Sequence, residues 1–286
     1  MKLVLGTVQL GMNYGIQGHG QPSIEQALEI LNTAYTAGVH TFDTASAYGT
    51  AEDVLGVFLN QPQIDKSLLK IISKFNSSID KLEENIQICL ASTGVKCLEG
   101  YMFHDAHYIF DAAAVRALER LKENNLTRKI GVSTYTPIQA MKALEYESID
   151  IIQVPYNVFD RRLNACGFFE SAKEKGVEVH ARSVLLQGLL MMEPEHLPDH
   201  MTFALPYLKE FHRICDKYGV DTFSTAVKFV MYQSMIDYIV FGVDNILQLK
   251  QYISLDKKIN HVLIKDLTEN CVCTDDKVLM PNLWEK

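Results

Sequence analysis

Asp43, Tyr48, Lys74 and His104 are the side-chain types that proton transfer to a carbonyl oxygen requires. A phenol, with an unperturbed pKa of about 10, is too weak an acid to protonate a forming alkoxide efficiently at neutral pH unless a nearby cation stabilises the phenolate. Lys74 is the expected cation. A lysine enclosed by apolar strands needs an anionic partner, and Asp43 can supply it. His104 can donate to the carbonyl oxygen, or relay a proton to it, and so fix its orientation. The set reads as one general-acid apparatus for carbonyl reduction, with the Tyr48 phenol acidified by Lys74. Each residue alone has an ordinary role: Asp43 as a helix cap, Tyr48 as a half-buried aromatic, His104 as a core histidine. Only their shared position at neighbouring strand ends turns them into a site.

Those strand ends belong to a repeated pattern. HTFDTA (40–45), LKIISKF (69–75) and LEGYMFHD (98–105) are short apolar runs, as are LVLGT (3–7), KIGVST (129–134), IIQVPYN (151–157), VEVHARSV (177–184) and YIVFGV (238–243). A helical pattern follows each one. The first, SIEQALEILNTAYTAG (23–38), carries Ser23 as a cap, Gln26 three residues on, and Gly38 as a stop. Helices are then expected over 52–59, about 78–94, 111–125, Pro137 to Tyr146, 166–176, 204–218, 222–233 and 245–255. Strands that alternate with helices and are apolar on both faces imply a parallel sheet. Eight such units without a linker predict an α/β fold, a single-domain (β/α)8 TIM barrel over residues 1–286, with chemistry at the carboxyl ends of the strands.

The chain has 286 residues, 48% hydrophobic and 22% charged, which excludes disorder and low complexity. A net charge of −8 argues against a nucleic-acid surface, which needs clustered positive charge. The opening MKLVLGTVQLG reads as neither a signal peptide nor a membrane span. Six scattered cysteines without a secreted framework point to a reducing cytoplasm, and Cys271 and Cys273 read as incidental thiols. Gly18-His19-Gly20 lacks the third glycine of a Rossmann turn. His104-Asp105-Ala106-His107 could begin a metal site, but Lys74, Gln153 and Arg182 at the other strand ends complete no ligand set, so no metal is expected. Met191-Met192 and Phe168-Phe169 are read as packing.

The motifs GTVQLGMNYG, FDTASAYG, ISKF, MFHD, GVSTY, IIQVPYN and ARSVLLQGLL occur in an order and spacing that resembles the aldo-keto reductase superfamily, with NLWEK as a familiar tail. The resemblance runs from about Leu3 to Leu255 and implies the same barrel. It implies Tyr48 as general acid, supported by Asp43, Lys74 and His104. It also implies a nicotinamide dinucleotide lying across the barrel mouth. Gly6 and Thr7 would lie near the nicotinamide ribose, and Ser133 and Gln153 would hold the carboxamide, beside Thr134 where many members have Asn. Arg182 stands where many members stack an aromatic on the nicotinamide, and Ser183, Leu185 and Gly188 match the pyrophosphate stretch. After the last strand, Gly242, Asp244 and Gln248 would meet the adenosine end. The resemblance makes NADPH the default coenzyme. Asp244, near the expected position of a basic residue, would repel a 2′-phosphate and accept from a free ribose diol, so unusually good use of NADH is expected as well.

The expected partner is a small-molecule carbonyl substrate. The loops after strands 1, 4 and 7 are expected to recognise it through His19, Tyr108, Phe159, Arg161, Arg162 and His196, a polar and aromatic group suited to a hydroxylated, sugar-type aldehyde or ketone. The alternative is a dinucleotide-binding regulatory subunit that senses redox state with little turnover.

Overall fold

The computed structural model describes residues 2–16, 18, 20–256 and 258–284. Eight parallel strands close into a barrel in chain order: β1 (Lys2–Gly6), β2 (Thr41–Asp43), β3 (Lys70–Phe75), β4 (Gly100–Phe103), β5 (Ile130–Ser133), β6 (Ile151–Pro155), β7 (Glu178–Arg182) and β8 (Tyr238–Phe241). Strand period dictates which side chains go where. Leu5, Phe42, Phe75, Phe103, Val132, Val154, Ala181 and Ile239 point outward into the core shared with the helices. Their neighbours on the same strands, among them Asp43, Lys74, Ser133, Gln153 and Arg182, turn inward at the carboxyl end.

The barrel interior is filled in layers. Ile72, Met102 and Ile151 make a small apolar plug of their own. Beneath it, Lys129 bridges Glu99 at 3.0 Å and Glu178 at 2.8 Å. The neighbouring His180 and then Lys129 hold the Glu178 carboxyl down at about 2. Gly131 is needed here because a side chain would collide with the backbone of Ile151 on the next strand.

Local signals explain the helices. Ser23 and Gln26 form a full capping box on Ile24–Thr36, and Thr136 and Gln139 do the same on Pro137–Ala143, with Pro137 in the first turn. The helix expected over 78–94 divides into a 3₁₀ turn, Ile79–Lys81, and a helix, Leu82–Thr93, closed by Gly94 in the left-handed region. Beyond the last barrel helix, Ile246–Ile253, the chain adds a helix that the periodicity reading omitted, His261–Asn270. Arg161 secures its end, donating to the carbonyls of Thr268 at 2.8 Å and Cys271 at 3.1 Å. Among the described residues no helix is long and apolar enough to cross a membrane.

Candidate active site

Lys74 is fully buried and Asp43 nearly so. The Lys74 ammonium donates to Asp43 Oδ1, to the Thr44 carbonyl at 2.9 Å and to the Tyr48 hydroxyl at 3.5 Å. Tyr48 sits on the turn after β2, and several contacts hold that turn. Ser46 N–H donates to the Lys74 carbonyl at 3.1 Å, tying the turn to β3. Gly11 is required beside it, since a side chain there would collide with the Tyr48 carbonyl. Glu52, buried on the next helix, accepts from Ser73 at 2.6 Å and draws that helix onto the same strand.

His104 follows β4, its N–H on the Phe75 carbonyl at 2.9 Å. The imidazole stands edge-on to Tyr48, ring centres 5.7 Å apart and planes at 89°. Burial, then the charges of Lys74 and Arg182, push its pKa down to about 4, so the ring is neutral at physiological pH. Its Nδ1 is buried without a hydrogen-bond partner.

The expected acidification of Tyr48 by Lys74 is not what the structure contains. Burial first and the Asp43 carboxylate second raise the phenol well above its usual value, and the cation that opposes them is Arg182. Lys74 is matched by Asp43 at its ammonium, so the ion pair presents little net positive field to the phenol. Tyr48 therefore holds its proton throughout the working range, as a proton donor must. An alkoxide is the stronger base and can still take it.

These groups open onto a cavity of about 550 Å³, of a size that suits a cofactor and small substrate. Asp43, Tyr48, His104, Gly6, Ser133, Gln153, Arg182, Ser183, Leu185, Gly188, Gly242, Asp244 and Gln248 all line it. Lys74, Thr7 and Thr134 do not. Lys74 lies behind Asp43 and Tyr48. Thr7 is fully buried, its hydroxyl 3.2 Å from the Asp43 carbonyl, and Thr134 turns its hydroxyl to the Gln153 carbonyl at 3.3 Å. Both threonines brace the strand ends rather than face a ligand.

A hydrogen-bonded chain crosses the cavity floor. Arg182 Nε donates to Ser133 Oγ at 3.2 Å, Ser133 to Gln153 Oε1 at 3.3 Å, and Gln153 Nε2 to Asp43 Oδ2 at 2.9 Å. Ser133 and Gln153, expected to hold a carboxamide, thus also orient Asp43 toward Lys74. Arg182 stacks on Tyr135, its guanidinium carbon 4.3 Å from the ring centre.

The residues fit a nicotinamide dinucleotide. Gln9 lines the cavity with its Oε1 buried and without a donor, and its amide packs directly over the Gly242 backbone, where a side chain would displace it. An unpartnered carbonyl oxygen suits a ligand amide or hydroxyl. Leu186 and Gln187 adopt left-handed backbone, with φ of 50° and 54°, which carries the loop after β7 across to the loop after β1. There Gln187 donates to the Tyr14 hydroxyl at 3.1 Å. Asp244, on the cavity wall, exchanges hydrogen bonds with Gln248 at 2.7 and 3.3 Å, whereas Lys250 is exposed and off the wall.

The loop assignment for substrate recognition needs correction. Tyr108, Phe159, Arg161, Arg162 and His196 do not line the cavity, and His19 lies outside the described residues. Phe159 is buried in the core, and Arg162 pairs with Asp160 at 2.8 Å. The wall instead includes Tyr14, Ile16, Tyr135, Phe223 and Asn282, together with Met191 and Met192, which also pack into the core as expected. Tyr14 and Tyr135 lie inside the motifs GTVQLGMNYG and GVSTY, which is the sequence signal for them.

The chain is 21% identical to the NADH-specific methylglyoxal reductase of Escherichia coli (strain K12), over 84% of this chain and 85% of that one. It is 24% identical to the aldo-keto reductase str7 of Strobilurus tenacellus, over 77% and 66%. The fold superposes on the aldo-keto reductase AKR11C1 of Bacillus halodurans, holo form, with a TM-score of 0.77 at 19% identity, over 94% and 91%. Residues 2–261 match the family model for the Aldo/keto reductase family, and the chain belongs to that family.

Proposed function

We propose that this oxidoreductase reduces a small polar aldehyde or ketone to the alcohol, with Tyr48 as general acid. The observation that carries the reading is the Tyr48 hydroxyl at the cavity wall, backed by Lys74 at 3.5 Å and flanked by a neutral His104. When bound, the nicotinamide supplies hydride to the carbonyl carbon. Tyr48 gives its proton to the carbonyl oxygen, and the Lys74 ammonium, fixed by Asp43, stays within hydrogen-bonding reach of the Tyr48 oxygen to donate to it once the proton has left. His104 directs the oxygen toward the phenol. Gln9 and Gly242 would receive the ligand on one wall, and the stretch from Ser183 to Gly188 would cover it.

The coenzyme this site fits best is NADH, with NADPH the alternative. Asp244 and Gln248 offer acceptors for a ribose diol, and a carboxylate there repels a 2′-phosphate. The relative named as an NADH-specific reductase accords with this. Polar groups on the wall, Tyr14, Tyr135 and Arg182, favour hydroxylated or dicarbonyl compounds, sugar-type aldehydes among them. Steady-state oxidation of NADH and NADPH against a panel of neutral, hydroxylated and anionic carbonyl compounds tests the reading. Turnover with several aldehydes is expected. Coenzyme binding with no turnover on any of them would replace it by the redox-sensing subunit.

A further inference from the structure

Among the described residues Arg182 is a cation without an anion. It lines the cavity at the end of β7 and is half-buried there. Its hydrogen bonds to the described residues go to neutral oxygens: Ser133 Oγ at 3.2 Å, Ser183 Oγ at 3.1 Å and the Thr134 carbonyl at 2.8 Å. Among the described residues it forms no salt bridge. The carboxylate nearest the chemistry, Asp43, is already engaged by Lys74 and Gln153. Stacking on Tyr135 and the bonds to Ser133 and Thr134 hold the guanidinium in place, so its charge is fixed rather than mobile. Its field reaches the reacting end of the cavity, where it opposes the effect of burial on Tyr14 and Tyr48 and adds to that of burial and Lys74 on His104.

On the reading that a nicotinamide ring enters this cavity, that field acts on the group whose charge differs before and after the turnover. Hydride leaves the reduced ring and forms a C–H bond at the carbonyl carbon, while the proton on the alcohol oxygen comes from Tyr48. The ring begins neutral and ends with one positive charge. Tyr48 then regains its proton from solvent. A fixed guanidinium in the same partly desolvated chamber leaves the neutral ring alone and repels the charged one. We propose that Arg182 makes this site discriminate against the oxidised coenzyme, holding NADH more tightly than NAD+, so that NADH saturates the site in the presence of NAD+ and the spent coenzyme leaves readily after reduction.

The alternative use of an unpaired guanidinium is to receive an anionic substrate. The two are separable, because only the first predicts a difference between two forms of the coenzyme in the absence of any substrate.

The experiment uses the full chain. NADH is titrated by fluorescence and NAD+ by displacement of bound NADH, in the parent, in Arg182→Gln and in Arg182→Lys. The ratio Kd(NAD+)/Kd(NADH) is expected to fall at least tenfold in Arg182→Gln, mainly through tighter NAD+, and to stay within about threefold of the parent in Arg182→Lys, which keeps the charge. Arg182→Met, which keeps contact with Tyr135 and drops the charge, replaces the glutamine variant if that one does not fold. A ratio unchanged in both neutral variants overturns the proposal. So does an unchanged ratio accompanied by a rise in KM confined to anionic aldehydes, which would assign Arg182 to the substrate. Failure of the parent to bind NADH or NADPH would instead defeat the coenzyme reading on which the proposal rests.

Discussion

Lys74→Met tests the foundation of the site. The substitution removes the ammonium that Asp43 Oδ1, the Thr44 carbonyl and the Tyr48 hydroxyl share, and leaves the buried Asp43 carboxylate with Gln153 Nε2 at 2.9 Å as its side-chain donor. Lys74 is 0% and Asp43 2% exposed, so solvent cannot take over the lost interaction. Breaking one side of a buried pair costs roughly 3–5 kcal/mol. For a chain of this size each kcal/mol lowers the melting temperature by about 2 °C, so a fall of about 6–10 °C is expected. Adding Asp43→Asn to Lys74→Met removes the stranded charge while keeping an acceptor for Gln153, and is expected to recover at least half of the loss. Urea and thermal unfolding of parent, both single variants and the double variant close the cycle. A Lys74→Met protein that melts within a degree of the parent, with the double variant no more stable than the single, would refute the claim that these residues act as a buried pair.

The remaining expectations concern pH and the coenzyme. His104 in the native state takes up a proton only near pH 4, whereas in the unfolded chain it does so at about pH 6.5. Its contribution to stability is therefore intact above pH 6.5 and lost as pH falls toward 4. The drop in urea midpoint between pH 7.5 and pH 5 is expected to be smaller in His104→Gln, and an equal drop in both proteins would contradict the assignment. Asp244→Arg is expected to swing the kcat/KM ratio toward NADPH by tenfold or more, since it exchanges repulsion of the 2′-phosphate for attraction. In the parent, efficiency with NADPH equal to or better than that with NADH would defeat the argument from Asp244.

Much of this architecture was legible in the residues because it rests on local rules. Strands buried on both faces read as continuous apolar runs, and the Ser23 and Pro137 signals set helix starts within a residue or two. The pairing of Asp43 with Lys74 was legible because strand ends in a closed parallel barrel must converge. What the sequence concealed depends on contacts distant along the chain. Arg161 was read as a substrate residue, yet it closes the helix His261–Asn270, more than a hundred positions away, and nothing local announces that partner. Thr7 and Thr134 have the composition of ligand-binding hydroxyls, but neighbouring strands claim them first. The direction of the Tyr48 shift was misjudged for a similar reason. The cation beside the phenol is visible in Lys74, while burial and the closeness of the Asp43 carboxylate to the phenol are properties of the assembled barrel.

Single-turnover oxidation of bound NADH by an aldehyde, in parent and in Tyr48→Phe, reaches the central claim most directly. Loss of the hydroxyl is expected to slow hydride transfer by about 10²–10⁴-fold, the ordinary worth of a positioned general acid, while the Kd for NADH stays within about twofold. Undiminished transfer in Tyr48→Phe would contradict the account.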